Sequence, residues 1–149
     1  MNMPETSHDG DRGSPTGHIA GAVDDRTAAA LSYLHDSTSG RWESAATFVG
    51  DRPLFVFPGS RFTSLAAMRE GLVRRYTGLQ KHVEVTDVAP GDDSTVVIIV
   101  SGTLSGTNTH GVPFDGVRFL DRLVLQDGLL VEQHVYNDLA ISGVLDRTE

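Results

Sequence analysis

The chain contains no cysteine. That single absence removes disulfides, thiolate nucleophiles and zinc–thiolate sites. Positive charge is also scarce: 12 Lys and Arg stand against 20 Asp and Glu, a formal net charge of −8 at pH 7. The basic residues are scattered, so a phosphate backbone or an anionic membrane surface is repelled, and neither nucleic acid nor membrane is expected as a partner. Long apolar runs are missing too. The longest, Val96 to Val100, falls far short of the roughly 20 residues that span a bilayer. The opening residues Met1-Asn2-Met3-Pro4-Glu5 have neither the basic start nor the apolar stretch of a secretory leader, and a cytoplasmic location is expected.

What is present is ordinary globular composition, 39% apolar and 21% charged over 149 residues, enough for one domain with a real core. Residues 1–20 are Gly, Pro, Ser, Thr, Asp and His with almost nothing to bury, which reads as a disordered tail before a domain at 21–149. Asp24 and Asp25 offer an N-cap for a first helix carrying Ala28, Leu31 and Leu34, which fades at Ser37-Thr38-Ser39-Gly40. A second, short helix is expected over Trp42 to Val49. Leu54-Phe55-Val56-Phe57 reads as a strand stopped by Pro58-Gly59. Thr63 or Ser64 caps a third helix in which Leu65, Met68, Leu72, Tyr76 and Leu79 keep helical spacing.

The period then changes from helical to alternating. Val83 and Val85 alternate with polar residues, and Pro90-Gly91-Asp92-Asp93 turns the chain. In Val96 to Leu104 the even positions are the more apolar, so that side should face the core. Gly102 lies on it, marking a bulge or room for a ligand. Val117 to Leu125 and Leu129 to Asn137 form a last hairpin. Helices followed by an antiparallel meander argue an α+β fold.

One strand stands out. In Phe119-Leu120-Asp121-Arg122-Leu123-Val124-Leu125, Asp121 shares a face with Phe119, Leu123 and Leu125. A carboxylate on an apolar face has to be neutral, paired or useful, because burying it charged and alone is prohibitively costly. A three-residue loop Gln126-Asp127-Gly128 sets Leu125 opposite Leu129, Leu123 opposite Val131, Asp121 opposite Gln133 and Phe119 opposite Val135, with Arg122 facing Glu132. A two-residue Asp127-Gly128 loop would instead set Asp121 against His134; the first register segregates charge better. Asp121 and Gln133 then form a polar island on an apolar wall, and two readings stay open: a core acid satisfied by its neighbour, or a functional group.

The hairpin pattern Phe119-Leu120-Asp121-Arg122-Leu123, then Asp127-Gly128-Leu129-Leu130-Val131-Glu132, resembles the nuclear transport factor 2-like superfamily, in the style of SnoaL-like polyketide cyclases and ketosteroid isomerases. Gly40-Arg41-Trp42 between the first helices, Pro58-Gly59 after the first strand and Tyr136-Asn137-Asp138 at the close support it, over roughly Ala22 to Ser142. The resemblance implies a cone-shaped, curved antiparallel sheet wrapped around three N-terminal helices, with an apolar pocket at its open end, often in a homodimer. It also implies roles. Asp121 matches the acid that hydrogen-bonds an oxyanion in the isomerases, where an apolar site keeps the proton on the carboxyl. The same position resembles the acid–base group of aldol closure in the cyclases. Tyr33 matches the tyrosine that shares the oxyanion. Where the isomerases carry an aspartate base before a proline, Phe57 precedes Pro58, so ordinary ketosteroid isomerisation lacks its base. The Arg-x-Asp of related epoxide hydrolases is replaced by Ile98-Ile99-Val100-Ser101-Gly102.

Other chemistry is thinly supported. None of the six histidines pairs with another at metal-ligand spacing on one element, and neither a His-Glu-x-x-His nor a Gly-x-Ser-x-Gly motif occurs. The expectation is a small, cofactor-free and metal-free enzyme that cyclises or isomerises an apolar carbonyl compound through an enol. Asp121 is its acid or acid–base group, and Tyr33 a donor to the enolate. Phe57, Val100, Phe119 and Leu123 form the pocket wall, and Gln133 and Asn137 orient polar substituents. The rival is a non-catalytic binding or association module of the same fold, favoured by Phe57 at the base position. An outer sheet face of Leu120, Val124, Leu130 and Tyr136 is expected to support a homodimer.

Overall fold

The structure is a computed structural model that describes residues 17–145 except Asp93, with side chains described from Asp25 onward. The tail at residues 1–16 lies outside the described residues. Helix α1 runs Gly17–Thr38, so it begins four residues inside the segment read as tail, and Asp24 and Asp25 lie within the helix instead of capping it. There follow α2 (Trp42–Ala46), β1 (Val49–Phe57), β2 (Ser60–Phe62), α3 (Leu65–Val73), β3 (Tyr76–Pro90), β4 (Thr95–Asn108), β5 (Pro113–Gln126) and β6 (Leu129–Asn137).

The turn from α1 to α2 is built around Asp36. Ser44 Oγ donates to its carboxylate at 2.5 Å, Arg41 pairs with it at 2.7 Å, and the Arg41 amide donates to its carbonyl at 2.8 Å. The Ser44 hydrogen bond, with help from Arg41, holds the Asp36 carboxyl below the usual range. Gly40 takes φ +76° to close the loop. Ser64 caps α3 by accepting from the Ala67 amide at 3.1 Å. α3 ends at Val73, earlier than its apolar spacing suggests. Tyr76 and Leu79 belong to β3, where Tyr76 packs edge-on against Phe114 of β5 at 5.9 Å. Apolar residues three and four apart continued the helical count across a boundary that strand pairing decides.

The six strands form one curved sheet in the order β2-β1-β6-β5-β4-β3. Its pairs are antiparallel except β1 with β6, which is parallel, so the sheet is mixed. α1 lies across β3, β4 and β5, and α3 lies against β1, β2 and β3. Between helices and sheet sits the core, with Tyr33, Leu34, Phe55, Met68, Ile98, Val100 and Leu123 almost fully buried. On β4 the even positions from Val96 to Leu104 are buried, as their composition predicts. Gly102 leaves no room for a ligand: β3 bulges between Val83 and Val85, and a Cβ on Gly102 would collide with the His82 carbonyl oxygen.

The last hairpin takes neither expected register. Asp127 (φ 51°) and Gly128 (φ 81°) form a two-residue turn with both residues in the left-handed region, and Leu125 pairs with Leu130. A bulge in β6 then inserts one residue, so Leu123 faces Gln133, Arg122 faces His134, Asp121 faces Val135 and Phe119 faces Asn137. The bulge flips the side-chain alternation, and both Leu130 and Gln133 point inward. Leu130 therefore leaves the outer face on which it was expected, while Leu120 and Tyr136 remain there, exposed and directly paired. Among the described residues no helix is long and apolar enough to cross a membrane, and no cluster of three or more metal-ligating side chains is found.

Candidate active site

Asp121 is fully buried on β5 between Val100 of β4 and Val135 of β6. Gln133, diagonal to it across the hairpin, donates from Nε2 to Oδ2 at 3.3 Å. Tyr33 on α1 donates from its hydroxyl to Gln133 Oε1 at 2.7 Å, with the Met68 sulfur 3.8 Å away as an alternative acceptor. Tyr33 and Asp121 thus meet through the Gln133 amide, not directly. Burial raises the Tyr33 phenol well above its usual value, and the charge of Asp121 raises it further. The phenol therefore stays protonated, a fixed donor that orients the amide.

The other partner of Asp121 was not anticipated. Lys81, on β3, extends over the inward face, and its Nζ donates to Asp121 Oδ2. The ammonium also lies 4.8 Å from the centre of the Phe119 ring. Its side chain is only 9% exposed. A signal was there: Lys81 alternates with Leu79 and Val83 and so shares their face, but treating Leu79 as helical hid it. Among the described residues Asp121 Oδ1 has no hydrogen-bond partner. Such an orphan acceptor costs about 1–3 kcal/mol, a cost a purely structural core acid would be expected to avoid.

A cavity of about 70 Å³ opens above this pair. Phe57, Phe119, Leu104 and Val135 form its apolar wall, Lys81, Arg75, Tyr76 and Asn137 supply its polar groups, and Leu139, Ala140 and Leu145 close it from the C-terminal segment. Of the expected wall, Phe57, Phe119 and Asn137 line the cavity. Val100 and Leu123 lie fully buried beside Asp121 in the core, and Gln133 lies beneath between Tyr33 and Asp121. Asp121 and Tyr33 are absent from the lining, and among the described residues Lys81 is the lining side chain that hydrogen-bonds Asp121. Burial raises the Tyr76 phenol above its usual value, with the neighbouring Arg75 charge opposing. A more open cleft of about 560 Å³ beside the α1–α2 turn shares Leu72, Tyr76 and Leu79 with this cavity. Tyr76 is the one titratable side chain among its described lining residues, whereas the smaller cavity also carries Lys81.

No family model matches the chain, and no curated protein matches it. Solved structures do. A putative SnoaL-like polyketide cyclase from Jannaschia sp. CCS1 superposes with a TM-score of 0.66 at 16% identity, over 92% of this chain and 100% of that one. ActVI-ORFA from Streptomyces coelicolor gives 0.62 at 16% identity, over 79% and 98%. A nuclear transport factor 2-like superfamily protein from Salmonella enterica gives 0.68 at 9% identity, over 80% and 92%. At such identities the likeness speaks for architecture. With its curved sheet closed over α1 and α3 and a cavity at the open end, the chain has the nuclear transport factor 2-like fold, α+β, shared with SnoaL-like structures.

Proposed function

We propose that the chain is a small enzyme that cyclises or isomerises an apolar carbonyl compound by acid–base chemistry at the Asp121–Lys81 pair. The observation that carries this is a fully buried carboxylate with one orphan oxygen, ion-paired to a lysine whose ammonium faces an otherwise largely apolar cavity. A satisfied structural ion pair has no need of such a cavity. The SnoaL-like polyketide cyclase among the structural neighbours supports the same class of chemistry.

The roles follow from position. Lys81 meets the substrate: its ammonium hydrogen-bonds the carbonyl oxygen, stabilises the enolate and gives up a proton as the product forms. Asp121, one layer below, holds Lys81 in place and shares its proton through Oδ2. Gln133 and Tyr33 fix the carboxylate, so Tyr33 acts by positioning and not as a donor to the enolate. Phe57 and Phe119 exclude water, and Asn137 orients a second polar substituent.

Asp121→Asn and Lys81→Met should each reduce conversion of a poly-β-ketone or enone substrate by roughly 10²-fold or more, with folding checked by circular dichroism. Conversion unchanged in both folded variants would overturn the proposal. Phe57, an unreactive ring at the position of the isomerase base, favours the second reading, a binding module. Tight binding of such compounds with no conversion would establish it.

A further inference from the structure

The cavity carries charge of one sign. Its polar lining is Lys81, Arg75, Tyr76 and Asn137, and among the described residues no carboxylate stands on it. Asp121 touches Lys81 from below and offsets one charge, which leaves the Arg75 guanidinium uncompensated at the wall. Arg75 forms no ion pair with a carboxylate among the described residues; its guanidinium donates a long hydrogen bond, 3.4 Å, to Ser60 Oγ and also interacts with the Tyr76 hydroxyl beside it. This positive pocket sits in a chain with a net charge of −8, so it is not a by-product of overall composition. Arg75, Lys81 and Tyr76 all offer donors, and the complement of a donor-rich, cationic, apolar space is an apolar molecule with a negatively charged oxygen.

A second observation points the same way. Phe57 lines the cavity, and among the described residues no Asp, Glu or His lines it. A site without a base cannot readily make an enolate from a weakly acidic ketone. It can use one that arrives already made.

From these observations we infer that the substrate binds as a pre-formed enolate: an apolar 1,3-dicarbonyl or comparably acidic enol that ionises in water and enters as the anion. The mechanistic half of this rests on the function proposed above; the binding half does not. In cyclisation the enolate carbon attacks a second carbonyl of the same molecule. One carbon–carbon bond forms, the carbonyl π bond becomes an alkoxide, and Lys81 gives that oxygen its proton. In isomerisation the same proton goes to a different carbon. Lys81, which faces the cavity, is reprotonated from solvent on that side while Asp121 holds it in place, so the proton count closes without a base, an oxidant or a cofactor. Arg75 stabilises the spectator oxygen and so sets specificity for the ionised form.

The test uses a matched pair of probes on the full chain: 1,3-cyclohexanedione, an enolate at neutral pH, and 3-methoxycyclohex-2-enone, its neutral enol ether. Calorimetry should show the enolate binding roughly tenfold or more tightly. Its affinity should fall with added salt and fall again below the diketone's own ionisation. Amide shifts should map binding to Phe119 and Leu139. Arg75→Gln, at an exposed position, should erase most of the preference for the anion. Lys81→Met should do so as well, and Lys81→Arg should restore it. Equal affinity for the two probes, no binding of the enolate, or an undiminished preference in Arg75→Gln would each overturn the inference. A preference for the anion that persists in a protein with no turnover would instead overturn the catalytic proposal and leave this one standing.

Discussion

At the scale of the residue, Lys81 and Asp121 decide what the site is. Asp121 has no solvent exposure and Lys81 little, so each charge depends on the other. Removing one partner leaves an uncompensated charge in the core. Lys81→Met should therefore lower the free energy of unfolding by about 3–5 kcal/mol. The double variant Lys81→Met, Asp121→Leu should be more stable than that single one, because it removes the orphan charge with its partner. Urea titrations of the wild type, both singles and the double measure the coupling, and penalties that simply add would show the pair to be uncoupled. Asp121 was legible in the sequence because an acid between Phe119 and Leu123 contradicts its face. Gln133 was legible as its neighbour. Lys81 was legible only as far as its face, by alternation with Leu79 and Val83; its partner lies two strands away across β4, which no spacing shows. Tyr33 was expected as a donor in the pocket; it lies instead in the core, and its link to Asp121 through the Gln133 amide depends on three-dimensional reach that no spacing encodes.

At the scale of the element, strand alternation was read correctly wherever nothing interrupted it. The buried even positions of β4 and the bounds of β6 follow from composition, and Ser64 declares itself a cap by residue type. Interruptions were invisible. The bulge in β6 has no side-chain signature, since Val131 fits either parity, and it alone determines that Gln133 rather than Glu132 stands diagonal to Asp121 on the side of Tyr33. The β3 bulge is more legible in retrospect, because it needs Gly102. Two glycines on paired strands separate the cases. Gly102 sits under the His82 carbonyl, whereas Gly78 has open space where a Cβ would stand. Gly102→Ala should destabilise by about 1–3 kcal/mol, since backbone must move. Gly78→Ala, on an exposed strand, should be neutral or stabilising by up to about 1 kcal/mol by restricting the unfolded chain. Thermal and urea unfolding of the two variants should therefore move in opposite directions or differ sharply. Equal effects would mean that the bulge is not what Gly102 serves.

At the scale of the whole molecule, the issue is access. A space of about 70 Å³ is well below the roughly 300 Å³ at which small-molecule pockets begin, so a substrate enters only if part of the wall moves. The wall formed by the C-terminal segment, with Leu139, Ala140 and Leu145, is the part least built into the sheet. The Leu139 amide donates to Asn137 Oδ1 at 3.2 Å, and further contacts hold the segment down. Leu139 and Val144 are buried, and Asn108 at the end of β4 donates from Nδ2 to the Val144 carbonyl at 2.8 Å. The same Asn108 side chain accepts from the His110 and Val112 amides at 2.9 Å, so it ties the β4–β5 turn to the segment that covers the cavity. Closure excludes water and strengthens every charge interaction at Lys81, while opening admits substrate, and the two demands conflict unless the tie is weak enough to break. Asn108→Ala removes the tie without touching Lys81, Arg75 or Asp121. Amide hydrogen exchange across Leu139–Leu145 should then accelerate, because the segment opens at lower cost. Association of 1,3-cyclohexanedione should become faster, and its dissociation faster still, so that net affinity falls while the preference for the anion persists. Unchanged exchange in that segment, or association as slow as in the wild type, would show that entry runs by another route, and the cleft beside the α1–α2 turn, which shares Leu72, Tyr76 and Leu79 with the cavity, would then be the path to probe.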